Sequence, residues 1–134
     1  MIAVAFAVAA VLGQDPWRDF PVVALPEPWD HIQVQEWTYI GRSNDQRMVT
    51  FFRPARQSGK IWIRYEYLSG VPRSTRTLAE LDCEGWRTRN VQTTLFAEAN
   101  LSGPGSDGRP TTWTDAAPGT FGEKVLEYGC GDPS

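Results

Sequence analysis

Lys60-Ile61-Trp62-Ile63-Arg64-Tyr65-Glu66-Tyr67-Leu68 decides the fold. Successive side chains of a strand point to opposite faces, so Ile61, Ile63, Tyr65 and Tyr67 share one face while Trp62, Arg64, Glu66 and Leu68 share the other. Upstream, Arg47-Met48-Val49-Thr50-Phe51-Phe52-Arg53 reads as a strand stopped by Pro54. The turn Ser43-Asn44-Asp45-Gln46 makes Glu36–Arg42 its hairpin partner. Downstream, after the turn at Ser69-Gly70-Val71-Pro72, the stretch Ser74–Cys83 is compatible with helix or strand. Strand is preferred because Thr77, Ala79, Leu81 and Cys83 alternate with Arg76, Leu78, Glu80 and Asp82. A tight connection at Glu84-Gly85 leads into a further strand over Trp86–Ala97. Asn100–Pro110, rich in Gly, Ser and Pro, reads as a loop, and Thr111–Thr114 as a short edge strand.

The last element differs in kind. Thr120-Phe121-Gly122-Glu123 has the form of a capping box, Thr120 accepting from the third helical amide and Glu123 reaching back to the cap amide. Phe121, Val125, Leu126 and Tyr128 then give an apolar stripe, and Gly129 or Gly131 ends a helix of about two turns. Such a helix is marginal alone. The two cysteines, Cys83 and Cys130, are most simply one long-range disulfide if the chain is exported. That bond holds the helix on the sheet and places Ala79, Leu81 and Cys83 on the covered face. The opposite face carries Trp62, Arg64, Glu66, Arg76, Leu78, Glu80 and Asp82. The expectation is an α+β domain: an antiparallel sheet of about five to six strands, one short C-terminal helix packed on one face, and one disulfide.

Export is read from the N-terminus. Met1–Leu12 is an apolar run too short to span a bilayer, which takes about 20 residues. It fits the core of a secretory signal over residues 1–13, with small residues near Gly13, although no Lys or Arg precedes it. No Cys follows the run, so no lipid anchor is expected, and the localisation is periplasmic or secreted. Residues 14–34 form an arm broken by Pro16, Pro21, Pro26 and Pro28, strapped to the body by Trp17, Phe20 and Trp29. Residues 35–134 are then the domain proper.

Net charge over the 134 residues is −3, unevenly spread. Gln14–Gly41 and the stretch after Arg89 are acidic, while Arg42–Arg89 is basic and dominated by Arg, a side chain suited to planar contacts with carboxylates, phosphates and sulfates. These arginines either neutralise the acidic ends within the fold or meet a ligand. His31, the only histidine, sits in the arm without Cys or a second His at ligand spacing, which argues against zinc and against a Ser-His-Asp or Cys-His nucleophile. Glu80 and Asp82 share a face and have the form of a two-carboxylate site, but opposite Arg64 and Arg76 they are more simply cross-strand ion pairs. Asn100-Leu101-Ser102 matches a glycosylation acceptor, a pattern short enough to arise by chance.

The order Trp37-x-Tyr39-Ile40, the alternating strand around Trp62, Ser74 before a strand ending Asp82-Cys83, Arg87 with Arg89, Trp113, Pro118-Gly119-Thr120 and Cys130 resembles the surface-adhesin protein E-like domain family of Gram-negative bacteria. The resemblance runs from Trp37 to Cys130. It implies an exported antiparallel sheet with a helix packed on it and the same disulfide. In the family's namesake, an outer-membrane lipoprotein, the domain binds host matrix proteins and can dimerise; the lipidated Cys of that pattern is missing here. The expectation is therefore an exported, non-catalytic binding domain, adhesin-like in the family's sense. It would recognise a protein or an anionic polymer of host or envelope through Trp62, Arg64, Arg76, Arg87 and Arg89. Trp62 is equally open to burial by the arm. The alternative is a periplasmic structural or accessory domain acting through a homodimer or an envelope complex. No cofactor, metal, nucleic-acid partner or membrane-spanning segment is expected.

Overall fold

A computed structural model describes residues 24–131. The expected signal, Trp17 and Phe20 lie outside the described residues. Seven strands form one antiparallel sheet: β1 (Thr38–Arg42), β2 (Met48–Pro54), β3 (Lys60–Tyr67), β4 (Ser74–Asp82), β5 (Arg87–Glu98), β6 (Ser102–Gly108) and β7 (Thr114–Asp115). The first six pair in chain order as an up-and-down meander, and β7 pairs with the start of β5. One helix, α1 (Phe121–Cys130), follows. The Cys83–Cys130 disulfide is formed, with Cα atoms 5.8 Å apart. Among the described residues no helix is long and apolar enough to cross a membrane.

The alternation around Trp62 assigns the faces correctly. Ile61, Ile63, Ala79 and Leu81 pack with Phe52 under Val125 and Leu126 of α1, and these side chains are nearly all excluded from solvent. On the other side a second cluster joins Tyr39, Val49 and Phe51 of the sheet to Leu25, Trp29, Ile32 and Val34 of the arm. The sheet is thus covered by the helix on one face and, at its β1–β3 end, by the arm on the other. Two successive reversals, with Trp29 N–H donating to Pro26 and Ile32 N–H donating to Trp29, curl the arm so that its apolar side chains land together.

Two local expectations need correction. Ser102–Gly108 is strand, although its composition reads as loop. Asn100 and Leu101 both take positive φ (61° and 56°), the backbone a type I′ hairpin turn requires, and they fold the chain back onto the open edge of β5. Glycine suits the new edge because a Cβ at Gly105 or Gly108 would crowd Thr94 or Thr93 at 3.3 Å. Pairing with a twelve-residue neighbour outweighs poor strand propensity.

The second correction is at the helix start. Thr120 makes no side-chain cap bond to the helix; its hydroxyl donates to Ala117 O, and the Glu123 carboxylate accepts from Gly119 N–H instead of the Thr120 amide. A cap that makes its bond is worth about 1 kcal/mol. Thr120→Ala should therefore change stability by less than about 0.5 kcal/mol, read as the shift in urea midpoint, and a loss of a full kilocalorie would restore the capping box. At the other end Gly131, at φ 87°, terminates α1 with its N–H on Glu127 O, as one of the two expected glycines.

Candidate functional site

The face opposite α1 gathers the basic residues, and backbone register decides their partners. Arg64 of β3 lies directly across from Arg76 of β4, so Glu80 and Asp82 are not opposite Arg64. Between β4 and β5 the register runs Leu78↔Gln92 and then Ala79↔Asn90, leaving Val91 as an extra residue. That bulge switches the alternation of β5. Phe96 and Thr94 face the same way as Arg76, and beyond the bulge so do Arg89 and Arg87. The carboxylates expected to pair with Arg64 and Arg76 therefore pair with Arg89 and Arg87. Arg89 reaches Glu80 at 2.7 Å, and Arg87 places Nε and Nη2 on one oxygen of Asp82 at 3.0 and 2.7 Å. The Gly85 N–H and then the Arg87 guanidinium hold the Asp82 carboxyl below the usual range.

Arg64 has a different fate. It is 2% exposed and Glu66 is fully buried, their Nε and Oε2 atoms 2.7 Å apart. The remaining guanidinium nitrogens donate to Gln33 O of the arm (2.8 Å) and Asn100 Oδ1 of the β5–β6 turn (3.0 Å). Asn100 N–H donates to the Glu66 carboxylate, and Asn100 Nδ2 to His31 O. Burial pushes the Glu66 carboxyl up, opposed by Arg64. Arg64 is thus an internal fastener joining arm, sheet and turn. His31 lends this network its backbone carbonyl, and its ring adds a weaker pull that lowers Glu66.

What the arm leaves uncovered is a row of arginines stacked on aromatic rings. The Arg76 guanidinium lies between Trp62 (5.1 Å to the ring centre) and Phe96 (5.7 Å). Arg87 and Arg89 flank Trp113 at 5.1 and 4.7 Å, and Arg53 sits 5.5 Å over Trp37. Trp62 is half-buried beside Arg76 and is not part of the arm cluster. Arg53, Arg64, Arg87 and Arg89 each have a carboxylate within 4 Å. Arg76 has none among the described residues, and its buried Nε makes no hydrogen bond. A planar cation fixed between two rings with no counter-charge can take a carboxylate, sulfate or phosphate.

The structure brings Trp62 and Arg76 together, groups Arg87 with Arg89, and withdraws Arg64. Arg53 and Phe96 join the face without having been expected there. Phe96 carried no usable signal, because the bulge at Val91 that turns it toward Arg76 is invisible to a simple alternation. Among the described residues no group of three His, Cys, Asp or Glu side chains is placed to hold a metal.

The family model described as surface-adhesin protein E matches residues 37–131, more than half of the chain. No curated protein and no solved structure matches.

Proposed function

Since the chain belongs to the surface-adhesin protein E family, we propose that it works as an exported, non-catalytic binding domain. The open Arg-and-aromatic part of the sheet, centred on Trp62, Arg76 and Phe96 and flanked by Arg87, Arg89 and Trp113, takes an anionic polymer or an acidic protein segment. One observation carries this reading: among the described residues Arg76 is a half-buried cation without a carboxylate, on a face where the other arginines are paired. Arg and Trp are also the residues that dominate binding hot spots. The paired arginines add field and shape, and their exposed ion pairs are weak enough for a ligand to exchange.

Arg76→Met tests the reading, since Met retains an apolar stem between the two rings while removing the charge. On a sulfated-polysaccharide matrix the wild type should be retained and should elute earlier as salt screens the contact. The variant should elute at clearly lower salt with an unchanged melting temperature. Identical elution of the two proteins would remove Arg76 from the site.

A further inference from the structure

The helix side of the sheet carries a second feature that does not depend on the arginines. Two cavities open there, of about 300 and 380 Å³, and both include Tyr65 and Phe121 in their walls. The first lies between α1 and the sheet, over Ile63, Ala79 and Val125. The second continues past Ile40, Gly41 and Met48 to Arg42 and Lys124. Each volume falls within the range of small-molecule sites.

We propose that the two cavities form one groove for an anionic amphiphile with a single aliphatic chain. The chain lies across Tyr65 and Phe121, and the carboxylate or phosphate head sits at Lys124. Phe121 occupies the junction. Its ring packs edge-on to Phe52 at 5.6 Å and lies 6.0 Å from Tyr65, yet the residue is 39% exposed, so an apolar surface stays open where the cavities meet. Tyr65 supplies a polar group at the same point. Its hydroxyl has no hydrogen-bond partner among the described residues, and burial together with Tyr67 pushes its pKa up to about 12, so it remains a neutral donor.

Room for a chain comes from glycine. A Cβ at Gly41 would meet nothing within 4 Å, and one at Gly122 would make only ordinary contacts, the nearest at 3.4 Å from Ala116. Ile40, Met48, Phe121 and Val125 give an apolar track, bordered in the first cavity by threonines and Asn90, and its cationic end at Lys124 complements a hydrocarbon chain that ends in a negative charge. A neutral lipid would leave Lys124 without a role, and a short anion would leave the track unfilled.

The experiment is calorimetric titration of the disulfide-bonded full chain with dodecanoate, dodecyl phosphate and dodecanol, each below the concentration at which it aggregates. Dodecanoate and dodecyl phosphate should each bind one per chain. The tighter of the two tells a free fatty acid from a lipid phosphate as the source of the head group. Gly41→Leu, whose Cβ meets nothing within 4 Å and whose side chain extends into the second cavity, should weaken both at least about tenfold. Lys124→Glu, on the exposed side of α1, should weaken the two anions about tenfold and leave dodecanol unchanged. The proposal is overturned if neither anion binds, if Gly41→Leu binds like the wild type, or if Lys124→Glu affects dodecanol as much as the anions. Lys124→Glu alone decides the matter should Gly41→Leu not fold.

Discussion

Replacing Arg64 by Met is expected to lower the free energy of unfolding by about 3–5 kcal/mol, the cost of leaving one member of a buried ion pair without its partner. Glu66 is fully buried and would keep only the Asn100 N–H, while Gln33 O would lose its donor and Asn100 Oδ1 would keep only the Gln33 N–H. Loss of the pair's net attraction is the smaller part; the stranded carboxylate is the larger. Converting Glu66 to Leu in the same chain should therefore recover most of the loss. About 1–3 kcal/mol should stay lost for the unpaired Gln33 carbonyl and the Asn100 Oδ1 left with one donor.

The pH dependence separates this mechanism from simple loss of packing. Burial already raises Glu66 above its ordinary 4.5 against the pull of Arg64. Without Arg64 the rise is larger, opposed only by the Asn100 N–H and His31. In the window from 4.5 up to the folded value the folded protein binds more protons than the unfolded chain, so stability falls as pH rises through that window and recovers on acidification. Relative to wild type, the Arg64→Met protein should gain stability in urea titrations as pH is lowered toward 4.5. A deficit below about 1 kcal/mol, or one that does not change with pH, would mean that Glu66 finds water or another donor and that the fastener is not electrostatic.

The same residue shows how far the sequence could be read. Period-two alternation placed Arg64 on the correct face, but it carries no information about what covers that face. Where the arm lands is set by the joint burial of Leu25, Trp29, Ile32 and Val34 against Tyr39, Val49 and Phe51, a fit between segments far apart in the chain. For the same reason β3, β4 and the helix were legible, since each is specified by its own residues, whereas β6 was not. Ser102–Gly108 has no strand signal of its own and exists because Asn100 and Leu101 turn it onto β5. The pairing of Glu80 with Arg89 and Asp82 with Arg87 depended on one extra residue at Val91. A bulge moves every later side chain of a strand to the other face without altering composition.

Loss of the Cys83–Cys130 disulfide should cost the protein about 4 kcal/mol, the chain-entropy value for a closed loop of 47 residues. That is a large share of the 5–15 kcal/mol usual for a domain of this kind. It should also fall unevenly. The sheet is held by ladders between consecutive strands and by the arm cluster on the far face, none of which passes through the sulfurs. The helix is held by Val125 and Leu126, by contacts of Phe121 and Tyr128 with Phe52, and by the tether at its last residue. Ten residues are too few to stay helical in water once undocked. Gly129 permits docking at all, since a Cβ there would run into the Leu81 side chain. Reduction, or Cys83→Ser with Cys130→Ser, should therefore speed amide exchange over Val125–Cys130 first, with β3 and β4 still protected, and lower the global midpoint after that. The cavities walled by Phe121 would open with the helix, so binding of dodecanoate should fall on reduction while retention on the sulfated matrix persists. If exchange in helix and sheet accelerated together, the tether would be holding the whole domain, and the two faces would not be separable units of stability.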